Sequence, residues 1–162
     1  MNKEEILDEI NKTKEHLANM EKMLEKRENE RWKPEKGEMF YYLTSYNVAI
    51  PETWNADYAN AAHYNIYNCF KTREQAEQEA EKILVRRQLE DIARRLNRGR
   101  KIDWNNYEQS KHCIELYRDE IITNFYAAHK SQGTTYCLDE DFKDIAIQEI
   151  GEERLKNYLR GE

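Results

Sequence analysis

Apolar residues recur every three or four positions along residues 3–30, and this period predicts one long amphipathic helix. The seam residues, spaced by 4, 3, 4, 3 and 4, are Ile6, Ile10, Thr13, Leu17, Met20 and Leu24. Three such heptads, flanked by Glu and Lys, are typical of a coiled coil. In a parallel homodimer through residues 3–30, Glu9 would lie near Lys14 of the other chain. The alternative is a helix that folds back on its own chain.

The pattern then changes to short runs of β-branched and aromatic residues. Met39–Ser45 and Val48–Thr53 are predicted strands, and the pair Tyr46-Asn47 between them indicates a hairpin. Pro51 lacks an N–H donor, so we expect the second strand to lie at a sheet edge or to end early.

A polar loop is predicted over Trp54–Tyr64, followed by a third strand over Asn65–Phe70. Thr72 and Gln75 then have the spacing of a capping box, in which each side chain bonds the other residue's backbone N–H. Apolar residues at helical spacing follow, and they predict a helix over residues 73–97 that ends before the next glycine.

The last third of the chain repeats this order of elements. His112–Arg118 and Glu120–Ala128 are predicted strands joined by a tight turn, and Thr134–Leu138 is a predicted third strand. A helical stripe begins at Phe142, and Gly151 interrupts it, which favours two shorter helices.

The predicted fold class is therefore α+β. An N-terminal heptad helix (residues 1–30) precedes two small units, 31–101 and 102–162, each an antiparallel sheet of three strands followed by a helix (βββα). YNCFKT before the first of these helices matches TYCLDE before the second, which favours a weak internal repeat. Convergence of two ordinary α+β pieces is the alternative.

Charge is distributed unevenly behind the net charge of −6. Residues 39–70 contain no Lys or Arg and only two acidic residues, Glu52 and Asp57. Residues 71–101 have an excess of basic side chains, and residues 102–162 an excess of acidic ones.

The low-charge window is rich in Tyr and Asn, a composition typical of protein-recognition surfaces. Rigid rings supply contact area at low entropic cost, and amides adapt their hydrogen bonds. The candidate partner-binding residues are Tyr46, Trp54, Asn55, Tyr58, Asn60 and Tyr64. The alternative interpretation is a packed loop without a partner.

The basic stretch supports a second hypothesis. Arg87, Arg94 and Arg98 are spaced by 7 and 4, so on a continuous helix they share one face that suits phosphate contacts. A solvated helix end, stabilised by the helix dipole, is the alternative.

Little in the sequence indicates catalysis. The four His and three Cys show no metal-ligand spacing, and no glycine-rich phosphate loop is present. We expect no enzyme activity, no metal and no cofactor.

An odd number of Cys without a CxxC pair predicts reduced thiols, and the start MNKEEILDEI lacks an apolar signal core. We therefore expect a cytoplasmic protein that does not enter membranes.

Several strings together resemble a widespread family of small proteins encoded by phages and prophages of low-GC Gram-positive bacteria. They are WKPEKGEMFYYL, YNIYNCFKTREQAEQEAEKI, IDWNN and IQEIGEERLKNYL. The family usually has Gly before NC, whereas this chain has Tyr67, which removes backbone freedom there.

The resemblance implies a phage-encoded protein acting in the bacterial host cytoplasm. Phage accessory genes commonly encode inhibitors of host defence, so the expected function is non-enzymatic binding to a host protein or ribonucleoprotein complex, as anti-CRISPR proteins do. The alternative function is a nucleic-acid-binding accessory protein that uses the basic helix face.

Overall fold

A computed structural model describes residues 3–29, 31–126 and 129–161, and over these residues it confirms the α+β class with five helices and two small antiparallel sheets. The elements are α1 (Lys3–Asn29), β1 (Met39–Leu43), β2 (Ala49–Thr53), α2 (Tyr58–Asn65), α3 (Arg73–Asn97), β3 (Lys111–Tyr117), β4 (Glu120–Tyr126), α4 (Phe142–Ile150) and α5 (Glu152–Arg160). Residues 127 and 128, at the end of the predicted strand Glu120–Ala128, lie outside the described residues.

The chain divides into two compact units, Met1–Glu35 and Lys36–Glu162. The first unit is built on α1, whose side chains are described over residues 9–22, so those of Ile6 and Leu24 in the predicted seam lie outside them. Every residue from 9 to 22 is exposed within the single chain. Coiled-coil pairing of this helix and the predicted boundaries after residues 30 and 101 stay predictions.

β1 and β2 form the first predicted hairpin, with Met39 opposite Thr53 and Leu43 opposite Ala49. The turn closes through a hydrogen bond of 3.0 Å from the Thr44 amide to the Val48 carbonyl. Pro51 pairs with β1 on one side only, so its missing donor faces the open edge of the sheet.

The segment predicted as a loop and a third strand is instead a helix and a single bridge. Asp57 caps α2 by accepting a hydrogen bond from the Asn60 amide (2.9 Å), and the alanines that follow favour the helix. Of the predicted strand Asn65–Phe70, only Phe70 pairs, as an isolated bridge to Tyr41.

A side chain explains why this strand does not continue. The amide group of Asn68 accepts from the backbone N–H of Leu43 and donates to the Leu43 carbonyl, both at 2.7 Å. It therefore occupies the backbone groups of Leu43 that a longer third strand would have paired.

The second hairpin follows the prediction closely, with β3 and β4 in register from Lys111 opposite Tyr126 to Tyr117 opposite Glu120. Both turn residues, Arg118 and Asp119, have positive φ (49° and 66°), as the tightest hairpins require.

The predicted third strand Thr134–Leu138 is also wrong beyond a single bridge, from Cys137 to His112. The next amide, of Leu138, donates to the side-chain oxygen of Asn97 at 2.7 Å. A bridging residue and then a helix follow each hairpin, but in the first half α2 lies between the hairpin and the bridge. The bridges also differ by one place relative to the matched cysteines: Phe70, which follows Cys69, forms the first, and Cys137 itself forms the second.

The helix predicted over residues 73–97 is α3, with the Thr72–Gln75 capping box formed at its start. α3 contacts β1 and β2 and also packs on α4 and α5. One core cluster joins α3 to β3, α4 and α5; its members are Val85, Leu89, Ile92, Ala93, Ile114, Cys137, Phe142, Ala146, Ile150 and Leu155. Gly151, at a φ of 95°, separates α4 from α5 as expected.

Candidate functional site

Trp54 lies in the core of the first hairpin and not on its surface, with 3% of its area exposed. Its ring meets the rings of Phe40 (5.6 Å between centroids) and Tyr64 (6.1 Å) edge to face. The Trp54 backbone donates to Glu38 and accepts from Gly37, both at 2.8 Å. Of the predicted partner-binding residues, Trp54 is therefore part of the packed interior of the hairpin, and Tyr64 is half-buried beside it.

Asn60 is also fully buried and serves as a hydrogen-bonding anchor. Its side-chain oxygen accepts from the Asn55 amide at 2.6 Å, and its side-chain nitrogen donates to Glu52 at 2.8 Å. These bonds tie the start of α2 to β2 and hold the segment that carries Asn55 and Tyr58 on the surface.

Three predicted contact residues are exposed: Tyr46, Asn55 and Tyr58. Tyr46 lies in the β1–β2 turn with 87% of its area exposed, and Tyr58 begins α2 at 91%. Because Asn55 and Tyr58 follow β2, they lie at the end of the hairpin opposite to its turn. The structure therefore separates the predicted surface into two groups.

Two further exposed residues join Tyr46 at the turn end. Ile66 (69% exposed) and Tyr67 (75% exposed) directly precede Asn68, whose side chain bonds Leu43 at the end of β1. We call Tyr46, Ile66 and Tyr67 the turn-end surface. The sequence prediction missed Ile66 because it was assigned to a strand; the Asp57 cap and the alanines of α2 were the signals that would have placed it after a helix.

A shallow groove of about 380 Å³ lies between this turn and α3. Its lining residues are Ser45, Tyr46, Asn47, Glu77, Ala80, Glu81, Leu84 and Arg87. Asn47 donates to the Ala80 carbonyl at 3.4 Å, which links the turn to the helix. The groove presents an aromatic ring, an exposed Leu84, two carboxylates and one guanidinium group, a mixture suited to a peptide surface.

The three arginines of the nucleic-acid hypothesis differ in their surroundings. Arg87 lines the groove. Arg94 pairs with Asp91, which also accepts from Arg95 at 2.9 Å, and the two guanidinium groups, Arg94 first, hold the pKa of Asp91 below its usual range. Arg98 is the left-handed C-cap of α3, with φ 48°, and so it leaves the helical register of the other two.

Neighbouring basic residues form structural contacts. Arg95 reaches Glu149 of α4 at 2.5 Å. Arg100 donates to the carbonyls of Leu96 and Asn97 at the end of α3. The positive charge in this stretch is therefore partly compensated, which weakens the field available to phosphates.

A polar cluster lies on one face of the β3–β4 hairpin. Glu115 accepts from Asn124 (3.0 Å) and from the Tyr126 hydroxyl (2.9 Å), and the Cys113 thiol donates to it at 3.6 Å. Burial and the Glu115 charge raise the pKa of Cys113 to about 12, so this thiol is protonated at neutral pH and is not an activated nucleophile.

Lys111 extends the same face and is fully buried. Its ammonium group donates to the Asn106 carbonyl at 2.6 Å and lies 5.6 Å from the centre of the Trp104 ring. Burial also raises the pKa of the Cys137 thiol. The polar residues on this face of the β3–β4 hairpin bond to one another and to the backbone, so together they have the character of a structural network.

Across residues 3–29, 31–126 and 129–161, no cluster of three or more His, Cys, Asp or Glu has the placement of a metal site. None of the helices within these ranges offers the length of apolar sequence that a bilayer crossing requires.

No family model, curated protein or solved structure matches this chain. The resemblance to a phage protein family therefore stays a prediction.

Proposed function

We propose that this protein is a non-enzymatic binding protein whose partner is another protein, contacted through the turn-end surface and the adjoining groove. The observation that carries the proposal is the exposure of Tyr46, Ile66 and Tyr67 at one end of the first hairpin. Large aromatic side chains are enriched at protein interfaces, where they lose little entropy on burial.

The groove chemistry favours a protein partner over a nucleic acid. Glu77 and Glu81 line it beside Arg87, so the lining has charges of both signs and lacks the uniformly basic character that binds a phosphate backbone. Within the protein, Glu77 pairs with Arg73 at 2.8 Å and Glu81 pairs with Arg154 at 2.6 Å. A polypeptide with both charged and apolar side chains suits this mixture better.

The resemblance to phage proteins supplies the biological setting of the proposal. The partner is a protein or ribonucleoprotein complex of the bacterial host cytoplasm, and inhibition of a defence complex is the outcome of binding. The excess of acidic residues over 102–162 supports this setting, because an acidic surface competes with nucleic acid for a basic groove.

The test is affinity capture from a host lysate with a Tyr46→Ala, Tyr67→Asn double variant. Asn suits the positive φ of residue 67 (62°), so the change removes the ring and keeps the backbone. We expect capture of the partner to weaken about tenfold or more, as for interface hot spots.

The matched control is Tyr107→Ala, which removes an exposed ring (70%) elsewhere and should leave capture unchanged. Circular dichroism and the urea midpoint show that each variant is folded. Undiminished capture by the folded double variant would contradict the surface assignment. Binding to DNA or RNA that falls steeply with salt and is lost in an Arg87→Ala, Arg98→Ala variant would instead favour the nucleic-acid function.

A further inference from the structure

The helix α1 presents an apolar stripe to solvent. Ile10, Leu17 and Met20 are 44%, 50% and 43% exposed, although they share one face of the helix. In proteins most of the stability of a helix comes from packing of its apolar face, and such a narrow stripe is typical of a helix that packs against a second one.

The polar residue within the stripe is already satisfied. The hydroxyl of Thr13 donates to the Glu9 carbonyl of its own helix at 2.8 Å. Thr13 can therefore enter an apolar interface without leaving an unpaired donor, which would otherwise cost stability. The seam is compatible with close packing at each of its described positions.

The charged residues beside the seam indicate which helix packs against α1 and in which direction it runs. With Ile10 and Leu17 at heptad position a, Glu9 and His16 take position g, and Lys14 and Glu21 take position e. In a parallel pair, each g residue faces the e residue five places later in the other helix. Glu9 then meets Lys14, and His16 meets Glu21, so both contacts join complementary groups.

An antiparallel pair with the same seam aligned brings e residues together, and Lys14 then faces Lys14. We propose that α1 forms a parallel two-stranded coiled coil with α1 of a second copy of this chain, held in register by the Glu9–Lys14 contacts. The dimer goes beyond the proposed partner binding and does not depend on it.

The first experiment measures the mass of the full chain by light scattering over a range of concentrations. The wild type is expected to pass from monomer to dimer. Lys14→Glu places two carboxylates together at each of the two contacts, and it is expected to raise the dissociation constant about tenfold. Lys22→Glu, at the outward position f, is the matched control and should leave the dissociation constant unchanged.

Mixing provides a rescue. The Glu9→Lys and Lys14→Glu variants each oppose like charges in a homodimer, but their mixture pairs opposite charges at both contacts, so a heterodimer at least as tight as the wild-type dimer is expected. Direction is read from Leu17→Cys, whose thiols face each other only in a parallel pair and should form a disulfide-linked dimer under mild oxidation. The oxidised wild type reports the background from Cys69, Cys113 and Cys137.

The proposal is overturned if the wild type is monomeric at every concentration. It is also overturned if Lys14→Glu dimerises as tightly as the wild type, or if Leu17→Cys gives no more crosslinking than the wild type, because either result indicates antiparallel pairing or another interface.

Discussion

Asn60 shows how much one buried amide can organise at the scale of a residue. Replacing it with Leu leaves the Asn55 amide and Glu52 without their bonds to its side chain. We expect the free energy of unfolding to fall by about 1–3 kcal/mol, the cost of unsatisfied groups at a buried site. Urea denaturation measures this change.

The control for this prediction is Asn55→Ala, because Asn55 has an exposed side chain in the same segment. Its effect should stay within about 0.5 kcal/mol, as for ordinary surface substitutions. Equal losses for the two variants would show that Asn60 is not an anchor.

At this scale the sequence predicted a contact segment rich in Tyr, Trp and Asn but did not show which of its residues are exposed. Tyr, Trp and Asn have both apolar and polar parts, so composition does not say which of them is exposed. Trp54 and Asn60 are buried and Tyr46 and Tyr58 are exposed, since the first pair points at β1 and β2 side chains and the second pair does not.

At the scale of an element, the start of α3 depends on the Thr72–Gln75 capping box. Thr72→Ala removes the acceptor for the Gln75 amide, and we expect a loss of about 0.5–2 kcal/mol in the free energy of unfolding. Thr72→Ser keeps the oxygen and should remain within a few tenths of the wild type. A Ser variant as unstable as the Ala variant would contradict the capping role.

The two predicted third strands are elements that the sequence did not predict correctly. Residues 65–70 and 134–138 have strand-like composition, but the Asn68 side chain occupies the backbone groups of Leu43 that ladder pairing would use, and the Asn97 side chain binds the amide of Leu138 directly after the second bridge. A local pattern cannot reveal this, because Asn68 bonds a residue 25 positions away and Asn97 one 41 positions away.

At the scale of the whole molecule, the core cluster lies entirely between Val85 and Leu155. Removing residues 1–30 should therefore leave the rest of the chain folded, with a urea midpoint close to that of the full chain. Circular dichroism and denaturation of the shortened chain provide the test. An unfolded shortened chain would show that α1 is needed for the fold of the remainder.

The sequence by itself determined the elements whose signals are local: α3 with its cap, the two hairpins with their short turns, and the break at Gly151 between α4 and α5. These signals act between residues that are close in sequence, so they do not depend on contacts with distant parts of the chain. Tertiary structure decided the rest. Burial of Trp54 and Asn60, the pairing of Arg95 with Glu149 and the grouping of Tyr46 with Tyr67 depend on residues brought together from distant parts of the chain. The energy of each such contact exists only once the core has formed.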